Sequence, residues 1–166
     1  MLAVSIAPTV AANSVDAPPD PWRALFGEWQ GKGEVRGMSA DVRLRFEATL
    51  DGQGRRLSFH NTMTDMHGKA WLFLAEAIYL CAPDGNCRGQ WQDSRGMVLP
   101  LSTRSQADRV IVDWGDADSE RGRTTYRVMP DGSLEIEDEV LDKSGAWKVF
   151  GRTKARRLGN EAALTR

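Results

Sequence analysis

Residues 26–36 read FGEWQGKGEVR, and this stretch decides the fold. Successive side chains of an extended strand point to opposite faces, so one face here carries Trp29, Gly31, Gly33 and Val35. Glycine weakens a strand, and a strand that holds several either bends sharply at a barrel corner or lets a second backbone approach closely. We therefore predict that this is the first strand of a barrel and that Trp29 fills one end of its interior.

The chain continues as a series of short strands. Segments in which apolar and polar residues alternate are separated by turn sequences such as Pro130-Asp131-Gly132. About ten such segments, with no helical periodicity between them, predict an all-β protein, an antiparallel up-and-down barrel of about 8–10 strands. Residues 70–82 are apolar enough to form a helix, but their strand neighbours and the turn that follows favour a long strand.

A short helical turn is predicted before the first strand. Asp20 is a suitable N-cap and Pro21 a suitable first helical residue. The turn would run through Trp22 and Leu25 and end at Gly27. It could plug the open end of the barrel.

Composition sets limits on the kind of protein. The 166 residues suffice for one domain, and the formal net charge is −1. Acidic and basic residues are interspersed, without the basic block that nucleic-acid binding requires. No apolar run is long enough to form a membrane-spanning helix. Nucleic acid is therefore not an expected partner, and no membrane span is predicted.

The chain divides into four parts. Residues 1–12 are interpreted as the remnant of a signal peptide because Val10-Ala11-Ala12 resembles a cleavage site, although no Lys or Arg precedes the apolar run. A disordered tail is the alternative. Residues 13–21 are a proline-rich linker, residues 22–157 form the barrel domain, and residues 158–166 are a polar tail.

The two cysteines are consistent with export from the cytoplasm, as the signal-peptide remnant is. Cys81 and Cys87 flank the turn sequence Pro83-Asp84-Gly85, and a hairpin there would place them opposite each other, within reach of a disulfide. Two free buried thiols are the alternative. A disulfide indicates an oxidising compartment, so we predict a periplasmic or secreted protein.

Gly27-Glu28-Trp29 is a G-x-W motif on a first strand, and the last strand ends in arginines. The pattern resembles the calycin superfamily: lipocalins, fatty-acid-binding proteins, nitrobindin-like proteins and lipocalin-like domains of unknown function. In such barrels the tryptophan packs at the closed end beneath an arginine from near the chain's end. The resemblance implies this arrangement for Trp29 with Arg157 or Arg156, as structural residues.

The resemblance is closest to the lipocalin-like domains of unknown function, judged by the sequence of residues 91–96 (WQDSRG) and by Trp147. About ten strands favour the fatty-acid-binding or nitrobindin type. Haem binding of the nitrobindin type implies a proximal histidine late in the chain, and no histidine follows His67. Haem is therefore not expected, and no cofactor is assigned.

Residues inside the barrel are the candidates for a ligand site. Three acids, Glu76, Asp93 and Asp138, are flanked by apolar residues in alternation and are predicted to point inward. They would anchor a ligand or act as an acid–base pair. The alternatives are a buried ion pair with Arg88, Arg127 or Arg152, or a register shifted by one residue, which would reverse the faces. The candidate cavity residues are Asn61, Glu76, Tyr79, Trp91, Asp93, Trp114, Tyr126 and Asp138.

Three functions remain open. A binding protein would hold a small apolar or amphipathic molecule in the barrel. An enzyme would use Asp93 and Asp138 in the same cavity, and a solid barrel would serve as a structural or interaction module. No catalytic residue and no metal site is assigned, because His60 is predicted to face outward and His67 to lie in a turn. The oligomeric state stays open, a homodimer included.

Overall fold

A computed structural model of the protein describes residues 20–159. The proposed signal remnant, residues 1–12, lies outside the described residues. The same holds for residues 13–19 of the proposed linker and residues 160–166 of the polar tail.

One short helix precedes ten strands. Asp20 caps the helix, because its side chain accepts a hydrogen bond from the Trp22 amide at 3.0 Å. The elements are α1 (Pro21–Leu25), β1 (Gly27–Val35), β2 (Met38–Thr49), a 3-10 turn (Leu50–Gly52), β3 (Gly54–Thr64), β4 (Ala70–Cys81), β5 (Cys87–Asp93), β6 (Val98–Gln106), β7 (Arg109–Trp114), β8 (Gly122–Val128), β9 (Leu134–Leu141) and β10 (Trp147–Arg157).

The ten strands form a closed barrel. Each strand pairs antiparallel with the next strand along the chain, and β10 pairs with β1 to complete the ring. This confirms the predicted all-β up-and-down barrel with its short N-terminal helical turn. Residues 70–81 are a strand rather than a helix, as their neighbours indicated. Closure leaves the barrel without an unpaired edge strand.

Close approach of a second backbone explains the glycines of β1. Gly31 lies opposite Ala155, and Gly33 lies opposite Thr153. A Cβ atom at Gly31 would collide with the backbone at Lys154 and Ala155, and one at Gly33 would collide with the backbone of β10 in the same way. The missing side chains therefore allow the first and last strands to pack closely where the barrel closes.

Trp29 fills the closed end of the barrel. Its side chain is fully buried, and its indole N–H donates to the carbonyl of Leu25 at 2.7 Å. The helix α1 covers this end, and Trp22 packs against Phe46 and Tyr79 with ring centroids 6.4 and 5.2 Å away. Apolar side chains thus occupy the lower half of the interior, while the opposite end of the barrel remains open.

A disulfide joins Cys81 to Cys87 at the closed end. These residues end β4 and begin β5, and they are directly paired across the hairpin. The predicted hairpin therefore has the geometry that the turn sequence indicated.

Glu76 points outward, so its predicted inward placement is wrong. It lies on the solvent side of β4 and pairs with Arg56 at 2.5 Å. The inner row of β4 contains Ala75 and Ala77. The outer row is also apolar, and its exposed members flank Glu76: Leu72, Leu74, Ile78 and Leu80. Apolar neighbours in alternation therefore do not distinguish the two faces of this strand.

A β-bulge changes the phase of β10. The pairing with β9 shifts between Val149 and Gly151, because the bulge inserts one extra residue into the strand. Thr153 and Ala155 face inward as alternation predicts, but Val149 lies on the outer side and Phe150 reaches the interior.

None of the helices among residues 20–159 is long and apolar enough to cross a bilayer.

Candidate functional site

A cavity of about 430 Å³ occupies the open half of the barrel. Most of its wall is apolar, and its polar residues lie partly in pairs, such as Thr124 with Asp138 and Arg36 with Glu120. The lining residues are Val35, Arg36, Met38, Phe59, Asn61, Met63, Phe73, Trp91, Arg95, Met97, Leu99, Trp114, Glu120, Thr124, Tyr126, Ile136, Asp138 and Phe150. They come from all parts of the barrel, because every strand contributes alternate side chains to the interior.

Aromatic rings form two opposing parts of the wall. Phe59, Phe73 and Trp91 lie on three adjacent strands, and their ring centroids are 6.1–6.3 Å apart. Across the cavity, Trp114 meets the edge of Phe150 at 6.4 Å. Such surfaces suit a flat or elongated apolar molecule, since aromatic rings give large contact areas with little loss of side-chain entropy.

Charged side chains surround the mouth, and the arginines there already have partners. Arg36, in the turn between β1 and β2, pairs with Glu120 at 3.1 Å and lies 4.9 Å from the ring centroid of Phe150. Arg95, in the turn between β5 and β6, lies 5.1 Å from the ring centroid of Phe73. The mouth is thus built from cation–aromatic contacts and is close to neutral.

Asp138 is the acid that faces the cavity. Its carboxylate accepts a hydrogen bond from the Thr124 hydroxyl at 2.6 Å. Burial raises the pKa of Asp138 to about 6, although the Thr124 hydrogen bond opposes this change, and the nearby charge of Glu137 adds to it. Among residues 20–159 no cationic side chain forms an ion pair with Asp138. A half-buried carboxylate without a cationic partner costs stability. Such groups are frequent at functional sites.

Asn61 is the second polar group of the interior. It is 3% exposed, and its Oδ1 atom has no hydrogen-bond partner among the described residues. Leaving a buried acceptor without a donor costs free energy, on the order of 1–3 kcal/mol. Asn61 and Asp138 therefore both present oxygen acceptors to the cavity.

Asp93 has a structural position. Its side chain is fully buried and bonds to Arg95 at 2.7 Å, to the Trp91 indole N–H at 3.2 Å and to the Arg95 amide at 2.8 Å. Burial disfavours the charged form, but the hydrogen bonds from Arg95 and Trp91 outweigh it and hold the pKa of Asp93 below its usual value. The carboxylate thus fixes the turn between β5 and β6 and is not part of the cavity wall.

The structure brings five of the eight candidate cavity residues together. Asn61, Trp91, Trp114, Tyr126 and Asp138 line the cavity. Glu76, Tyr79 and Asp93 do not: Glu76 is outside, Asp93 is bound in a turn, and Tyr79 is buried in the core beside Trp22. Whether the five contact a ligand stays a prediction.

Several lining residues were not singled out from the sequence. Phe59 and Met63 alternate with polar residues around Asn61, which predicts an inner face, but this pattern does not distinguish a cavity wall from a filled core. Phe150 had a detectable signal, because a glycine inside a strand, here Gly151, often marks a bulge. Thr124 and Phe73 carried no such signal.

Residues 20–159 contain no group of three or more His, Cys, Asp or Glu side chains that could hold a metal ion.

No protein-family model matches the chain. No curated protein matches it either. Among solved structures, the chain is similar to a de novo designed fluorescence-activating β-barrel at 12% identity and a TM-score of 0.42, over 84% of this chain and 99% of that one.

Proposed function

We propose that this chain is a lipocalin-like binding protein that holds one small apolar or amphipathic molecule inside its barrel. The observation that carries the proposal is the cavity of about 430 Å³, closed below by the core and open above. Ligand pockets are typically about 300–1,000 Å³, with mostly apolar walls and a few polar groups that orient the ligand. This cavity has that composition.

The two alternatives have less support. A solid barrel would have no such cavity. An enzyme with a carboxylate pair would need Asp93 and Asp138 in one site, but only Asp138 lines the cavity, and Asp93 is held by Arg95 and Trp91. The disulfide between Cys81 and Cys87 favours an oxidising compartment, so the proposal includes a periplasmic or secreted location.

Native mass spectrometry of the purified protein tests for a molecule that co-purifies, and solvent extraction recovers it. A neutral dye whose fluorescence rises in apolar surroundings, N-phenylnaphthylamine, tests the cavity directly. We expect stoichiometric binding with a large increase in fluorescence.

Two neighbouring residues give a matched control for the dye. Leu99 lines the cavity and is 6% exposed, whereas Val98 lies on the outer face and is 51% exposed. Leu99→Trp should reduce dye binding because the larger side chain occupies the cavity, and Val98→Trp should leave it unchanged. Both variants are first checked for cooperative urea unfolding. Failure of the folded wild type to bind the dye, with nothing co-purifying, would refute the proposed function.

A further inference from the structure

We propose that the ligand of this cavity carries a protonated amine and that the Asp138 carboxylate is its counter-ion, an inference that rests on the proposed binding function. The argument depends on which polar atoms of the cavity still lack partners, on the charges at the mouth, and on the aromatic walls.

The polar atoms of the cavity interior combine one charged acceptor, the Asp138 carboxylate, with the neutral amide of Asn61 and the Tyr126 hydroxyl. The Thr124 hydroxyl donates its hydrogen to one oxygen of Asp138, and the other carboxylate oxygen has no donor among the described residues. The Oδ1 atom of Asn61 also has none. An ammonium group offers three donors and a positive charge, so it complements these two oxygens and the charge of Asp138. A ligand carboxylate could accept a hydrogen bond from the Asn61 amide, but it would be repelled by the negative charge of Asp138.

The residues around Asp138 do not supply a cation. On β8, Thr124 and Tyr126 face it, and on β10 it lies against Gly151. The adjacent Glu137 is on the outer face and binds Arg152 at 2.8 Å. Within the described part of the chain, then, the carboxylate is surrounded by neutral groups. A cation that enters the cavity would remove the cost of this buried charge.

The mouth arginines do not favour an anionic ligand. Arg36 is paired with Glu120, and Arg95 is paired with Asp93. The hydrogen bond and charge of Asp93 raise the pKa of Arg95, burial opposes this, and the charge of Glu120 adds a smaller increase. Each arginine is therefore neutralised before a ligand arrives, and an anion would have to displace an existing partner.

The aromatic walls suit the same ligand. Tyr126 lies on β8, which pairs with the strand that carries Asp138, and Trp114 lies on β7, one strand further along the barrel. The faces of aromatic rings attract cations, most strongly where water is excluded. An apolar amine could therefore place its ammonium group between Asp138 and these rings and its hydrocarbon part against Phe59, Phe73 and Trp91.

Binding of such an amine depends on pH in a defined direction. Burial raises the pKa of Asp138 to about 6, so the carboxylate is charged at neutral pH and becomes protonated below that value. The remaining ionisable groups of the cavity and its mouth are Tyr126, Glu120, Arg36 and Arg95. Burial raises the pKa of Tyr126 and keeps the phenol neutral. Amine affinity should therefore fall as the pH drops below about 6.

The test uses three probes that share one ring system and differ in one end: naphthylmethylamine, naphthylmethanol and naphthoate. Isothermal titration calorimetry measures their affinity for the full chain at about pH 7.5 and at about pH 5, on either side of the Asp138 titration. At the higher pH the amine should bind about tenfold more tightly than the alcohol, since a charged hydrogen bond of about 1.5 kcal/mol corresponds to that factor. The carboxylate should bind most weakly.

Two variants with the same change of charge identify the group. Asp138→Asn removes the charge inside the cavity, and Glu139→Gln removes one from the outer face of the same strand. In Asp138→Asn the amine should bind no more tightly than the alcohol, at either pH. In Glu139→Gln the preference for the amine and its dependence on pH should remain as in the wild type.

The outcomes separate this inference from the proposed function. If the neutral dye binds but the amine binds no better than the alcohol, the inference is wrong and the binding function stands. The same conclusion follows if Asp138→Asn keeps the preference for the amine. If neither the dye nor any of the three probes binds, both proposals fall.

Discussion

Arg157 lies across the indole of Trp29, with its Cζ atom 4.3 Å from the ring centroid. The same guanidinium donates to the carbonyl oxygens of Ala24 and Phe26 at the end of α1. One side chain from the last strand therefore contacts the tryptophan of the first strand and the end of the helix that covers it. The last strand thus meets the first helix and the first strand, more than a hundred residues away in sequence.

Replacing Trp29 by Ala should lower the free energy of unfolding by about 3–5 kcal/mol, because it removes a large and fully buried side chain. Trp29→Phe should cost less, since most of the volume remains. Urea unfolding of the variants measures both effects. The folded fraction should still bind N-phenylnaphthylamine, because Trp29 is not part of the cavity wall. If Trp29→Ala unfolds like the wild type yet loses the dye, Trp29 belongs to the binding site instead.

Arg157→Lys should destabilise the protein by about 1–2 kcal/mol, because an ammonium group can neither stack on the indole as a planar guanidinium does nor bond both carbonyls. The neighbouring Arg156 is the control. It is exposed and pairs in register with Gln30, so Arg156→Lys should change stability by less than about 0.5 kcal/mol. Thermal and urea unfolding measure the difference. Equal effects of the two substitutions would contradict the arrangement at the closed end.

Removing the disulfide by the double substitution Cys81→Ser, Cys87→Ser should lower stability by about 2 kcal/mol, as expected for a cross-link that closes a short loop. Intact mass before and after reduction, with alkylation of free thiols, shows whether the bond forms. Reductant should destabilise the wild type by a similar amount and leave the double variant unaffected. Two alkylated thiols in fresh, unreduced protein would disprove the disulfide.

Asp138→Asn should stabilise the unliganded protein at neutral pH. The folded-state pKa of about 6 is above the usual value of about 3.9 for an unfolded chain. The folded state therefore binds more protons between about pH 4 and pH 6, and the free energy of unfolding falls as pH rises through that window.

The gain from Asp138→Asn should thus be near zero at about pH 4 and reach about 2–3 kcal/mol at about pH 7. The difference between variant and wild type isolates this group from other titrating acids. Asp142, whose pKa is lowered by Lys148 and Ser144, has the opposite dependence in both proteins. Urea unfolding across this pH range provides the measurement, with Glu139→Gln as a control. A constant difference between Asp138→Asn and wild type at all pH values would show that Asp138 titrates normally.

The barrel fold was predictable because the sequence signals that indicate it are local. Two glycines beside Trp29 and clean alternation in strands such as β2 indicate which side chains face inward. Turn sequences such as Pro130-Asp131-Gly132 indicate where strands end. These signals do not depend on knowing the partner strand, so they can be read from one chain.

The site was only partly predictable, because alternation gives the face of a residue but not its depth. Tyr79 and Tyr126 are both inward-facing and buried, yet the first packs against Trp22 in the core and the second lines the cavity. Asp93 also faces inward, and its role depends on Arg95 two residues later. Glu76 was misplaced because the outer side of its strand is apolar too. How deep a side chain lies in the barrel, and which side chain it pairs with, depend on contacts between strands that form only in the folded protein.

The close contact of β1 with β10 also constrains how the chain folds. Among residues 20–159 the other strand pairings join neighbours along the chain and can form early as hairpins, but this one must bring together segments more than a hundred residues apart. Closing so long a loop carries the largest entropic cost and is slow. Substitutions at Gly31 or Gly33 should therefore affect the last step of folding, when a curved open sheet becomes a ring.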